Sequence, residues 1–201
     1  MAKVRVERAN PPPPDVLTED EVKLLLRACE GSGFTERRDM AMVRTLLATG
    51  LRVSELTDLR LEDIDLVNRL VVVRHGKGDR ARVVRFDRAT AAALDRYRRM
   101  RGRHRHAGSA KLWIGLHGPM TRKGVPHVLD QRAALAGLRH VHPHQLRHTW
   151  AHRWLAAGGG EGDLQRLGGW ESAEIMRRYG EARAVDRALA AYDQVDPMGG
   201  L

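Results

Sequence analysis

The stretch LEDIDLVNRLVVVRHGKGDRARVVRF, residues 61–86, decides the fold class, because the periodicity of the chain changes there. Leu61 to Leu66, Leu70 to Val73 and Arg82 to Phe86 are short β-branched or alternating runs separated by turn residues. Side chains at period two line a pleated surface, and branched side chains pack well on it, so such runs form strands. A small antiparallel sheet of three strands is expected, with Gly76-Lys77-Gly78-Asp79 in the turn joining the last two.

On both sides of this stretch the pattern is helical. Thr18-Glu19-Asp20-Glu21 is a capping-box pattern, and Val22, Leu25, Leu26 and Cys29 follow it at helical spacing. Gly31-Ser32-Gly33 interrupts; Met40, Val43, Leu46 and Leu47 mark a second helix ended by Gly50, and Val53 to Leu59 a short third. Downstream, helices are expected from about Thr90 to Met100, Pro126 to Leu138, Pro143 to Ala157, Asp163 to Leu167 and Ala184 to Val195. The basic stretch Arg98 to His106 reads as a solvated helix end and loop. The fold class is therefore α+β, mainly α-helical, with one small three-stranded antiparallel β-sheet.

Length suits one domain: 201 residues bury a proper core. Pro11 to Pro14 cannot enter a helix interior, so residues 1–14 read as a stiff linker or N-terminal arm, residues 15–182 as the domain, and residues 183–201 as a C-terminal helix and tail. The formal net charge of +10 and pI near 10.7 describe a surface that gathers polyanions, with nucleic acid the first partner to consider. No apolar run reaches spanning length and no signal-peptide pattern opens the chain, so a cytoplasmic protein with no membrane partner is expected. Cys29, the only cysteine, permits no disulfide and no thiol cluster for a metal, and reads as core. Arginine supplies most of the positive charge; lysine occurs only as Lys3, Lys23, Lys77, Lys111 and Lys123. Guanidinium grips phosphate with a planar fork but cannot give up a proton, so a well-placed lysine matters.

Four segments carry possible chemistry. In Ala48-Thr49-Gly50-Leu51-Arg52-Val53-Ser54-Glu55-Leu56, Arg52 follows a helix-ending glycine and opens the next helix, where its fork and the helix amides can share one anion. An exposed arginine paired with Glu55 is the plainer reading of that segment alone. Lys77 between two glycines can reach a leaving oxygen and protonate it, or can be an ordinary hairpin-tip lysine. In His144-Gln145-Leu146-Arg147-His148-Thr149-Trp150, His144 and Arg147 are three apart and share a helix face, which suits a proton-shuttling base beside a phosphate clamp. A merely basic helix competes with that reading, and so does a metal site of His144, His148 and His152, which lacks an evident carboxylate or thiol to complete it. The fourth segment runs from Leu167-Gly168-Gly169-Trp170 to Tyr179, where a Trp and a Tyr frame a short helix in a chain poor in aromatics.

Together these segments resemble the catalytic domain of tyrosine recombinases of the phage-integrase family. Thr-Gly-Leu-Arg-Val-Ser-Glu-Leu ending at Leu56, His-x-x-Arg-His-Thr at His144 to Thr149, and Leu-Gly-Gly-Trp at Leu167 to Trp170, nine residues before Tyr179, carry the resemblance, over roughly residues 15–182. It implies a site-specific recombinase or integrase that breaks and rejoins double-stranded DNA through a 3′-phosphotyrosyl intermediate without a cofactor or metal. Tyr179 would be the nucleophile, Arg52 and Arg147 would hold the non-bridging oxygens, Lys77 would protonate the 5′ oxygen, and His144 would assist proton transfer. Trp170 would stand where the family often has histidine, and Glu55 would support Arg52 or His144. The resemblance also implies association on DNA, from dimer to tetramer, at the nucleoid. Members usually carry an N-terminal DNA-clamping domain, so the chain reads as the catalytic domain without it, with weak DNA affinity alone. A type IB topoisomerase-like strand cleaver and a non-catalytic basic DNA-binding module are the alternatives.

Overall fold

α1 (Glu19–Arg27) begins where the capping box puts it: the Thr18 hydroxyl accepts from the Glu21 backbone N–H at 3.2 Å, and the Glu21 carboxylate accepts from the Thr18 N–H at 2.8 Å. The computed structural model describes residues 15–74 and 81–170. The proline-rich arm, the turn from Gly76 to Asp79 with Lys77, Tyr179 and the helix expected from Ala184 lie outside the described residues.

α2 (Phe34–Thr49) is the central helix, packed against both α4 (Arg88–Arg101) and α6 (Pro143–Ala156). It stops at Gly50, whose φ of 60° is left-handed. A Cβ there would also lie 2.1 Å from the Trp150 ring, so glycine is required twice over. α3 (Val53–Asp58) follows at once. Leu25, Met42, Leu46, Leu51, Leu56, Leu94, Leu129 and Leu146 are fully buried, and Cys29 joins this core, where burial pushes its thiol up to about 12.

The expected sheet is present, with order β1–β2–β3 and antiparallel pairing throughout. Its strands are β1 (Ile64–Asp65), β2 (Leu70–Val73) and β3 (Arg82–Arg85). β1 is shorter than the run from Leu61 to Leu66. Leu61–Asp63 form one 3₁₀ turn instead, because the Asp63 carboxylate reaches back to the Arg60 N–H at 2.8 Å and closes it. Val71 pairs with Val84 across β2 and β3 and both are buried, whereas Val72 and Val83 pair on the outer face.

Two other expectations need correction. α5 (Gly124–Leu135) ends three residues before Leu138, because Gly137 at φ 68° lets the Leu138 N–H return to the Ala133 carbonyl at 2.9 Å. The basic stretch after Arg98 is not wholly solvated. Arg101 is buried, and its guanidinium donates to the carbonyls of Ala107, Ser109, Lys111 and Leu112, folding the following loop around one cation. That loop leads into the hairpin of β4 (Ile114–Gly115) and β5 (Gly118–Pro119). α7 (Glu161–Gly168) closes the described chain; it packs on α6 and on β3, over a small cluster of Trp150, Ala151, Leu155 and Leu164. No described helix is long and apolar enough to cross a membrane.

Candidate active site

The C-terminal end of α7 leaves main-chain carbonyls without helical partners, at the negative end of the helix dipole. Three consecutive ones each receive a different arginine. Leu167 O accepts from Arg82 Nε at 2.8 Å, Gly168 O from Arg147 Nη2 at 2.7 Å, and Gly169 O from Arg52 Nη2 at 2.7 Å. These arginines come from β3, from α6 and from the N-cap of α3, so this one helix end gathers side chains from distant parts of the sequence.

Arg147 is buried, and its Nη1 also donates to the Gly50 carbonyl. Its Cζ lies 4.2 Å from the centroid of the Trp170 ring, a cation–π arrangement, and Trp170 stacks in turn on Trp150 at 5.9 Å. Arg52 stands at the start of α3 with its side chain 26% exposed. Glu55, the third residue of α3, accepts from the Arg52 backbone N–H at 2.8 Å and from Arg52 Nη1 at 2.9 Å. The plain pairing of Arg52 with Glu55 and its convergence with Arg147 are thus both present.

Arg82 also holds Glu55, with Nη1 and Nη2 each 2.8 Å from one carboxylate oxygen. Burial alone would raise the Glu55 carboxyl, but the hydrogen bonds from Arg82 and from the Arg52 backbone, and the charges of both, hold it below the usual range. The sequence reading missed Arg82, although a signal was there. Arg82 and Val84 share one face of β3, with Phe86 next in the same row just past its end, and an arginine in the inward row of a half-buried strand needs a partner.

His144 and Arg147 follow each other by one turn of α6, but His144 is exposed in the first turn while Arg147 is buried. His148 is partly buried; desolvation, then the neighbouring His144, His142 and Arg147, push its imidazole down, so it stays neutral near pH 7. Among the described residues no group of three His, Cys, Asp or Glu could hold a metal ion, and this includes His144, His148 and His152. The structure thus brings together Arg52, Glu55, Arg147 and Trp170 around the end of α7. Lys77 and Tyr179 lie outside the described residues.

A sequence profile described as the phage integrase family matches residues 15–184. The chain belongs to the phage integrase family. Members similar to it include the tyrosine recombinase XerC of Corynebacterium efficiens, 36% identical over 162 residues, which are 80% of this chain and 51% of that protein. XerC of Syntrophus aciditrophicus is 31% identical over 192 residues, 92% of this chain and 61% of the relative. The chain therefore spans about half to three-fifths of the length of these relatives. Among solved structures, that of the XerA recombinase superposes with a TM-score of 0.77 at 29% identity, covering 92% of this chain and 66% of the other. The catalytic domain of bacteriophage HP1 integrase shares the fold, with a TM-score of 0.66 at 20% identity, covering 92% of this chain and 97% of that domain. The mainly helical domain with its small antiparallel sheet is the family's catalytic-domain architecture.

Proposed function

We propose that this chain carries the strand-transfer chemistry of a site-specific DNA recombinase, with duplex DNA as substrate and Tyr179 as nucleophile. The observation that carries the reading is the gathering of Arg52 and Arg147 on adjacent carbonyls of one helix end. Two guanidiniums held on neighbouring carbonyls bring two positive charges together, which suits the non-bridging oxygens of a phosphodiester and the charge that builds on them in the transition state.

In this reading the Tyr179 oxygen attacks phosphorus and the bond from phosphorus to the 5′ oxygen breaks. Lys77 gives the departing oxygen its proton, and His144, exposed at the first turn of α6, helps remove the phenolic one. A phenol with an ordinary pKa of about 10 is a weak nucleophile at neutral pH, and the field of the arginine pair assists its ionisation. The Trp170 ring keeps the Arg147 guanidinium in place. One phosphoester replaces another of similar energy, so a hydroxyl from a second strand reverses the attack without ATP, and catalysis needs no metal. Association of two to four copies on DNA at the nucleoid completes the proposal, as does a domain division at residues 15–182 preceded by the proline-rich arm.

The test uses nicked suicide duplexes with a randomised window. Covalent adducts are recovered on denaturing gels, the bound DNA is sequenced, and the attached peptide is mapped by mass. A phosphorylated peptide containing Tyr179 is the expected result, and Tyr179→Phe should lose the adduct entirely while binding the selected duplex as before. Adducts on another residue, or none at all, overturn the reading. Exchange of strands between two selected duplexes, rather than relaxation of supercoils alone, separates a recombinase from a topoisomerase.

A further inference from the structure

Arg82 points into the protein, not toward a ligand. Its Nε serves Leu167 O and its two terminal nitrogens serve Glu55, and its side chain is 11% exposed. We propose that Arg82 is a positioning residue for the phosphate-binding guanidinium of Arg52, acting by saturating the Glu55 carboxylate and by tying β3 to the end of α7. The inference rests on the recombinase reading above.

An ionised carboxylate has about four lone-pair positions. Each Glu55 oxygen accepts one bond from Arg52 and one from Arg82: Oε1 takes both Nη1 groups, while Oε2 takes the Arg52 backbone N–H and Arg82 Nη2. With Arg82 in place, Arg52 can spend only one side-chain nitrogen on Glu55. Its Nη2 is then directed to Gly169 O, and among the described residues its Nε–H meets no acceptor.

Removing Arg82 empties two positions on a carboxylate whose side chain is only 2% exposed. The nearest donor able to fill them is Arg52, and the fork of an arginine closes readily on a carboxylate as a bidentate pair. Arg52 would then turn toward Glu55 and away from a bound phosphate. The charge changes in the same direction: Glu55 between two guanidiniums leaves a surplus of one positive charge, whereas a closed pair with Arg52 alone leaves none. Arg82 also anchors the segment directly before Trp170 through Leu167 O, so one side chain links both arginine partners of α7 to the strand that follows the Lys77 segment.

Lysine can replace this only in part. An ammonium keeps the charge but does not offer a rigid fork to Glu55 together with a separate donor to Leu167 O.

The experiment compares the intact chain with Arg82→Gln, Arg82→Lys, Glu55→Gln/Arg82→Gln and Arg132→Gln on the selected suicide duplex. A second duplex carries a neutral methylphosphonate at the cleaved position. Arg132 is the control, since it is buried and its Nε and Nη2 both meet Asp39 Oδ2, yet it touches none of the α7 carbonyls. Arg82→Gln should form adduct roughly 30-fold more slowly at saturating DNA, as expected for a misplaced reacting group, with half-saturation changed less than about threefold. Arg82→Lys should recover part of the rate. The double variant should be no slower than Arg82→Gln, because the two residues act as one unit. On the methylphosphonate, which lacks the charge that Arg52 grips, the defect should shrink several-fold. If Arg82→Gln is within twofold of the parent, or if its loss is equal on both duplexes and matched by Arg132→Gln, the positioning role is overturned and only the structural one stands. No adduct from the unaltered chain would overturn the recombinase reading and this inference with it.

Discussion

Two buried carboxylates, Asp39 and Glu55, each lie between two arginines, and the two triads differ in how far they open to solvent. Asp39 is held by Arg38 at 2.7 Å and by Arg132 at 2.8 Å, and the three side chains are 7%, 1% and 8% exposed in the order Arg38, Asp39, Arg132. Glu55, between Arg82 and Arg52, is equally buried, but Arg52 is 26% exposed. Each triad taken alone carries a surplus of one positive charge, and in the sealed one Glu36 lies 3.8 Å from Arg132 Nη2 to offset it. In the sealed triad that charge has only the protein to meet; in the open one it faces outward beside Arg147. The same chemical unit is a core fastener in one place and, in the proposed function, an anion clamp in the other, with access the difference between them.

Breaking the sealed triad should have the largest effect. Asp39→Ala leaves two buried guanidiniums without their carboxylate and should cost about 3–5 kcal/mol in urea unfolding, while the fraction that remains folded forms adduct at the normal rate. Reduced adduct formation at full foldedness would mean that this triad also serves the site. Arg52→Ala should do the converse, slowing adduct formation by about 100-fold to 1000-fold with little change in the unfolding midpoint. A change in midpoint without a change in rate would make Arg52 a structural residue and end the contrast.

The third effect concerns pH. The Glu55 carboxyl is lowered in the folded state, chiefly by its arginine hydrogen bonds working against burial. The unfolded chain therefore binds the proton more tightly, so this contribution to stability is complete above the ordinary carboxylate range and is lost as pH falls through the lowered folded value. Glu55→Gln should flatten the acid limb of a stability profile below about pH 4.5. An unchanged limb would show that Glu55 is not the group that titrates. The smallest effect marks the far end of the exposure scale. The ion pair of Lys23 with Glu19 on α1 lies on the open surface, so Glu19→Gln should leave the urea midpoint within experimental scatter at any salt concentration.

Much of this was legible in the letters, and the reasons differ by residue. The end of α2 at Gly50 could be read because glycine alone tolerates its left-handed backbone, and the start of α1 because Thr18 and Glu21 complete each other over three positions. Arg101 could not be read. Its partners are main-chain carbonyls between Ala107 and Leu112, which every sequence possesses, so only the path of the loop reveals the need for a cation. The strands β4 and β5 are two residues each, too short to show a period. At the site, the spacing of His144 and Arg147 was informative about the helix, but the capped first turn exposes one and the packing against Trp170 and Gly50 buries the other. Glu55 was expected to support Arg52 or His144; it holds Arg52, and its equal service to Arg82 is a contact across the fold that no local pattern encodes.

The row of oxygens at Leu167, Gly168 and Gly169 has a consequence for how such a domain can drift. Backbone oxygens persist through almost any mutation, so the exposed letters of α7, such as Gly162, Asp163 and Arg166, are at liberty to change. The exceptions are the two glycines: a methyl group at 168 would strike the Trp170 ring, and residue 169 needs its left-handed turn. Inheritance here resides in three cations, two absent side chains and the buried Leu164, and a saturation library over this helix should return neutral variants mainly at its exposed positions.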